Sequence, residues 1–323
     1  MRRISAALVL ALALPAAAAG ASRSVTLSLV AYSTPKDAYA KLIPAFQKTA
    51  AGAGVEFTQS YGASGDQEHA VAAGLPADIV NLSLAPDVDA LVQQHLVRPS
   101  WDKNRWHGIV TRSIVVFVVR GGNPKHIRTW NDLLKPGVQV VTPNPFTSGG
   151  ARWNTMAAYG GALRAGKTPQ QAIAYLRTLY RKHVVAQPSS AREALQTFLA
   201  GKGDVLLSYE NEAILANQKG QSLNYVAPKA TILIENPIAV TTTTKHAAQA
   251  EAFVRFLYAP QAQTLFAQTG YRPVLKSVAR NFNFTIPKQL FTIKYVGGWK
   301  RDQKKFFDPH TGVMAKIEEG LGG

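Results

Sequence analysis

From Val25 onward, short runs of β-branched and apolar residues alternate with stretches whose apolar residues recur at helical spacing. That alternation restricts the chain to an α/β fold, with parallel strands joined by crossover helices. Val25 to Ala31 predicts a strand, and Tyr39, Leu42, Ile43 and Phe46 fall on one helix face behind Pro35 and Asp37. Val55 to Tyr61 predicts a second strand, Asp66 to Ala73 a short helix, Ala77 to Leu82 a buried strand and Val88 to His95 a helix. After the apolar strand Ile114 to Val119, which Arg120 ends, comes a short helix at Trp130 to Leu134, and Val138 to Thr142 restarts the pattern. Helices are expected at Ala151 to Tyr159, Pro169 to Arg181 and Ala191 to Leu199, with a strand at Asp204 to Ser208. Ile232 to Val240 is extended, but Pro237 inside it points to a connection or an edge strand. Ala247 to Gln268 is amphipathic and divided into two helices by Pro260. The tail from Phe282 is aromatic-rich and less regular, and helical from Thr311. Two strand–helix series with the chain passing between them predict two lobes around a cleft, and ligands of open α/β sheets bind beyond strand ends, at helix starts.

Composition narrows the class. A chain of 323 residues suits about two domains, and 46% hydrophobic against 17% charged residues excludes disorder. No cysteine is present, which excludes disulfides, thiolate metal sites, a thiol nucleophile and an acylated anchor. The formal charge of +17 suits nucleic acid, an anionic membrane or a small anion as partner. Met1-Arg2-Arg3, the apolar run Ile4 to Leu14, Pro15 and the small residues Ala16 to Ala21 form the pattern of a signal peptide, residues 1–21, cleaved after Ala21. Removing Arg2 and Arg3 leaves 17 − 2 = +15. No later run is of membrane-span length. A soluble, exported, periplasmic protein is expected, which weighs against a nucleic-acid partner.

The loops after strands carry the candidate chemistry. Asn144-Pro-Phe-Thr-Ser148-Gly149-Gly150-Ala-Arg152-Trp153-Asn154 follows a strand and opens a helix. Two glycines leave backbone N–H groups uncovered at the positive helix end, and Ser148 adds a hydroxyl; together these make an oxyanion site. The alternative is an ordinary Ser N-cap with flexible glycines. Tyr61-Gly62-Ala63-Ser64-Gly65-Asp66 has the same design, as does Ser189-Ser190-Ala191-Arg192. Tyr209 ends a strand and can present a phenolic donor; Glu210 and Glu212, two apart on an extended chain, would share a face, and a structural or hinge role suits them better than acid–base catalysis. Gly161-Ala-Leu-Arg-Ala-Gly166-Lys167-Thr168 matches the P-loop pattern, yet a helix precedes it and Pro169 follows, so Thr168 is expected as an N-cap. Seven scattered histidines, none at ligand spacing, give no metal site, and Ser64 lacks a nucleophile-elbow setting.

On these loops the chain resembles the periplasmic sulfate/thiosulfate-binding proteins of ABC importers. The likeness rests on Asn144 to Asn154, on Gln59 to Gln67, on Ala77 to Leu82 with Asp87-Val88-Asp89, on Gly203 to Ala213, and on Phe256 to Pro260 with Tyr271-Arg272-Pro273. It implies a type II periplasmic-binding fold, α/β, with two lobes of mixed, mostly parallel sheet: lobe one at residues 22–122 and 236–323, lobe two at 123–235. Carried over, the ligand-binding set is Ser33, Ser64, Ser148, Gly149, Gly150, Ala191 and Tyr209. The family's Asp after the first strand is Ser33 here, which keeps an amide and loses a carboxylate. Its Trp before Glu-Asn-Glu is Tyr209, a hydroxyl in place of an indole N–H. The resemblance implies a non-enzymatic, monomeric receptor for sulfate or thiosulfate that meets a membrane ABC permease and needs no cofactor. Sulfate offers only acceptors, so a site built from donors suits it, whereas phosphate keeps a proton that needs an acceptor. Rival readings are the same fold with molybdate, tungstate or phosphate, a periplasmic enzyme acting on a sulfated or phosphorylated substrate, and a basic adhesin or nucleic-acid scavenger.

Overall fold

Alternating apolar side chains in Val25–Tyr32 (β1) place Leu27, Leu29 and Ala31 against the helical face of Lys36–Gln47 (α1), whose Ala38, Tyr39, Leu42 and Phe46 are buried. The computed structural model describes residues 24–319; the expected signal peptide lies outside them. The first half continues with Val55–Gly62 (β2), Ser64–Ala72 (α2), Ile79–Asn81 (β3) and Ala85–Gln93 (α3). Strands β2, β1 and β3 lie side by side in parallel. A long strand, Ile109–Arg120 (β4), leads into the second half: Val140–Val141 (β5), Gly149–Arg164 (α4), Pro169–Lys182 (α5), Val184–Ala186 (β6), Ala191–Leu199 (α6), Val205–Tyr209 (β7), Glu210–Gln218 (α7) and Leu223–Val226 (β8). Here β7, β5 and β6 form a second parallel set.

The two sets are joined by β4 and Ala230–Val240 (β9). Residues Ile109 to Ile114 of β4 pair with β9, while Val115 to Val119 pair antiparallel with β7; β9 in turn pairs with β3 through Ile238 to Val240. The strand order is β2-β1-β3-β9-β4-β7-β5-β6. The fold is thus the expected α/β architecture, two parallel sets each closed by one antiparallel strand, with the ladder changing partners along two long strands.

Strand β9 corrects one expectation: it is interior, not an edge or a connection. Pro237 is tolerated because it sits where the β4–β9 ladder shifts register, so its missing N–H breaks no rung. Its carbonyl accepts from Leu82 N–H at 3.2 Å and from Asn81 Nδ2 at 2.7 Å. Strand β4 also begins five residues before the expected start at Ile114, because Thr111, Arg112 and Ser113 interrupt the apolar run.

The chain then forms Ala247–Leu257 (α8) and Pro260–Gln268 (α9), divided at Pro260 as expected, followed by Arg272–Pro273 (β10), Lys276–Ala279 (α10), Gln289–Phe291 (β11), Ile293–Val296 (α11), Trp299–Phe307 (α12) and Val313–Glu318 (α13). The tail from β11 packs on α4 and α5. Trp299 meets Trp153 edge-on with centroids 4.8 Å apart, Phe306 meets Tyr159 at 4.9 Å, and Arg181 Nε donates to the Ile317 carbonyl at 2.8 Å. Thr168 caps α5: its hydroxyl accepts from Gln171 N–H while the Gln171 side chain accepts from Thr168 N–H, with Pro169 at the first helical position. The P-loop-like stretch before it is therefore the end of one helix and the cap of the next.

Candidate functional site

Three helix starts converge where the two halves meet. Ser148 caps α4, its Oγ accepting from Ala151 N–H at 3.3 Å. The next two residues, Gly149 and Gly150, carry first-turn N–H groups that have no intrahelical acceptor and no other partner among the described residues. Ala191 holds the same position in α6, behind the cap Ser190. A side chain at Gly150 would stand 3.4 Å from Ala191 Cβ, 3.4 Å from Ser148 Oγ and 3.5 Å from Tyr209 Cε1. Those four residues are thus immediate neighbours, and their helix dipoles add at one place.

Glycine at 149 is required by close approach. A Cβ there would lie 2.4 Å from Leu84 Cδ2 and 2.7 Å from Ser83 Cβ, both on the first half of the chain. Ser83 is the joint of the site. Its Oγ lies 2.6 Å from Tyr209 Oη, its N–H donates to Ser64 Oγ at 2.8 Å, and its carbonyl accepts from Trp153 Nε1 at 3.0 Å and Asn236 Nδ2 at 2.9 Å. Ser64 begins α2 and donates to Asp87 Oδ2 at 2.6 Å. Its hydroxyl proton is therefore engaged by a carboxylate, where the sequence suggested a free donor. Ser33 lies half-buried after β1, its Oγ accepting from Arg192 N–H at 3.4 Å. The seven residues expected from the sequence lie near one another: Ser33 meets the Arg192 N–H next to Ala191, Gly150 is beside Ala191, Ser148 and Tyr209, and Ser83 touches Gly149, Tyr209 and Ser64.

Charge is kept one layer back. Arg152 Nη1 pairs with Asp87 at 3.1 Å, both side chains nearly buried, while its Nε donates to the Pro145 carbonyl at 2.9 Å. Burial raises the Asp87 carboxyl above its ordinary range, and Arg152 and Ser64 oppose that rise. Arg192 reaches Glu212 through two nitrogens at 3.0 Å, Asp37 at 3.0 Å and the Thr34 carbonyl at 3.2 Å. Glu210 is held by Arg272 at 2.7 Å and 3.0 Å. Glu210 and Glu212 open helix α7 and do not share a face of an extended chain; each binds a different arginine, which agrees with the structural role expected for them. Burial raises Tyr209 well above the usual phenol range, so its hydroxyl stays neutral.

Ser83, Asp87, Asn236 and Asp37 were not among the site residues expected from sequence, although Asp87 lies in a stretch that carries the resemblance. Ser83 follows the strand Ala77 to Leu82, and the rule that ligands sit beyond strand ends would have found it. The partners of Asp37 and Asn236 are 155 and 153 residues away, beyond any local pattern. Among the described residues no cluster of His, Asp and Glu could hold a metal ion, and no helix is long and apolar enough to cross a membrane.

Two parallel strand sets whose donor-bearing helix starts meet at one seam are the arrangement in which a small solute can be held between two halves of a chain. The chain belongs to the bacterial extracellular solute-binding proteins: the model for that family matches residues 27–272. It is similar to a sulfate-binding protein of Synechococcus elongatus, 42% identical over 94% of this chain and 89% of that one. A thiosulfate-binding protein of Pseudomonas aeruginosa is 35% identical over 95% and 96% of the two chains. Among solved structures, the sulfate-binding protein SubI from Mycobacterium tuberculosis superposes with a TM-score of 0.86 and 46% identity, covering 88% of this chain and all of that one.

Proposed function

We propose that this chain is a periplasmic receptor that captures sulfate, with thiosulfate as the near alternative, and delivers it to a membrane ABC permease. One observation carries the reading: the N–H groups of Gly149, Gly150 and Ala191 converge with the hydroxyls of Ser148 and Tyr209, while each charged group behind them is paired. A fully ionised tetrahedral anion has only acceptors, and this surface offers donors without a balancing cation. The names of the similar proteins support the same ligand class. Ser64 joins the set by turning its proton from Asp87 to the anion, and Ser33 contributes its amide. A receptor role, not an enzymatic one, accords with the names of the similar proteins, which are binding proteins.

The lobes close about β4 and β9. We assign the first lobe to the residues before β4 and those from Ile238 to α10, and the second to the rest. The tail from β11 goes to the second lobe because it packs on α4 and α5, so the chain crosses three times instead of the two times expected from boundaries at 122 and 236. The mature chain acts as a monomer. A thermal-shift panel of sulfate, thiosulfate, molybdate, tungstate and phosphate tests the reading: a rise in melting temperature with sulfate is expected, and no rise with any of these anions overturns it.

A further inference from the structure

We propose that the basic face formed by α11, α12 and the end of α4 docks this protein on the anionic phospholipid of a membrane. The inference goes beyond the receptor reading and does not depend on which anion the cleft holds.

The excess of basic residues is not spread evenly along the chain. No Asp or Glu occurs between Asp132 and Glu193, nor between Glu251 and Asp302. The fold packs these two acid-free segments against each other. Gly160 of α4 meets α11 so closely that a Cβ there would stand 2.9 Å from Val296 Cγ1. At the end of α4 the Arg164 guanidinium lies 3.9 Å from the centre of the Tyr295 ring. Arg164, Lys294, Lys300, Arg301, Lys304 and Lys305 are all exposed, so cations from both segments share one surface.

Helix α12 carries this charge against its own stability. Lys300 and Lys304, and likewise Arg301 and Lys305, are like charges four residues apart, neighbours on a helix surface that repel. The one carboxylate of the helix, Asp302, is fully buried and accepts from Arg301 Nε at 2.9 Å. Arg301 also donates to the Val296 carbonyl. Asp308, just past the helix, accepts from the N–H groups of His310 and Thr311 at 3.0 Å and 2.7 Å. Among the described residues no carboxylate pairs with Lys294, Lys300, Lys304 or Lys305.

These features fit a lipid surface. The unpaired cations are lysines, hydrated point charges on flexible stems, which suit a diffuse anionic plane; a fixed phosphate array such as nucleic acid favours the planar fork of arginine. Tyr295, 41% exposed among them, is an amphipathic ring of the kind enriched at membrane–water interfaces. The apolar residues of α12 pack inward, Trp299 on Trp153 and Phe306 on Tyr159, so the contact is electrostatic and does not insert the helix. An anionic leaflet strengthens binding by about fivefold for each nearby Lys or Arg. If the receptor reading holds, the same face keeps the loaded protein near its permease.

Co-sedimentation of the sulfate-free mature chain with vesicles tests this. One set mixes phosphatidylglycerol with phosphatidylcholine and the other is phosphatidylcholine alone. The triple variant Lys300→Gln, Lys304→Gln, Lys305→Gln is compared with a charge-matched control on the first lobe, Lys41→Gln, Lys48→Gln, Lys245→Gln, whose lysines are equally exposed. The wild type should bind the mixed vesicles only, and sodium chloride should release it. The α12 variant should bind about a hundredfold more weakly, and the control within about threefold of the wild type. A thermal melt like that of the wild type shows that each variant is folded. Equal weakening in both variants overturns the proposal, because net charge alone would then account for binding. Failure of the wild type to bind the mixed vesicles at low salt also overturns it and leaves an acidic protein as the partner for this face. Vesicle binding by a chain that takes up no oxyanion would overturn the receptor reading alone.

Discussion

Gly149→Ala separates closure from folding. The added methyl carbon would sit 2.4 Å from Leu84 Cδ2 and 2.7 Å from Ser83 Cβ. Carbon atoms pack at about 3.5–4.0 Å, so the two halves must part by roughly 1 Å at this point. Four hydrogen bonds cross the same seam: Trp153 Nε1 to the Ser83 carbonyl at 3.0 Å, Ser83 Oγ with Tyr209 Oη at 2.6 Å, Gly65 N–H to the Thr147 carbonyl at 2.9 Å, and the Arg152–Asp87 contact at 3.1 Å. Lengthening by that amount takes most of them beyond effective range. At about 1 kcal/mol net for each of three neutral bonds, the closed form loses about 3 kcal/mol, which is roughly a hundredfold in anion affinity. The α4 turn itself is undisturbed, since alanine is a better helix residue than glycine. Sulfate calorimetry together with small-angle scattering of the sulfate-saturated protein is the assay. The variant should bind about a hundredfold more weakly and remain more extended, with a far-ultraviolet spectrum like that of the wild type. Wild-type affinity and an unchanged radius of gyration would refute the steric argument.

Arg152→Met leaves the buried Asp87 carboxylate without its partner and should lower the unfolding free energy by about 3–5 kcal/mol in urea titration, most of it recovered in the double variant with Asp87→Asn. Ser148→Ala removes both the α4 cap and one hydroxyl donor; about 1 kcal/mol of stability and about tenfold in sulfate affinity should be lost together. Burial pushes the Glu318 carboxyl up to about 7, so the folded chain holds a proton that the unfolded chain has already released. Its contribution is complete below the ordinary carboxyl range and is lost as pH rises through about 7; partial exposure screens it to roughly 1–2 kcal/mol. The unfolding free energy from urea titration should fall by that amount between pH 5 and pH 8 in the wild type and much less in Glu318→Gln. Equal slopes in both would refute it.

Much of the site was legible because it is built on local rules. A strand end, a small-residue turn and a helix start are all contiguous in sequence, so the loops of Ser64, Ser148, Gly149, Gly150, Ala191 and Tyr209 could be picked out locally, while their roles as ligand donors came from the family resemblance. The same holds for Thr168, where Pro169 decided between a phosphate loop and a cap. Legibility fails where partners are distant. Pro237 argued locally against an interior strand, yet a register shift in β9 removes the conflict. Glu210 and Glu212 looked extended because nothing nearby marks Glu210 as the start of a helix. The tail from β11 carries strands too short for any period, and its place is set by Trp153, Tyr159 and Arg181.

By itself the sequence determined the alternation of strands and helices, and with it a donor-rich loop at several strand ends. Those features depend on neighbours one to four residues apart, where side-chain spacing and capping act. Only the tertiary structure decided that the loops face one another and that Ser83 links them. It also decided that Asp87, Arg152, Arg192 and Glu212 neutralise one another behind the donors. These outcomes arise from packing two halves across β4 and β9, and pairing between residues 19 to 126 positions apart leaves no periodic trace in the chain.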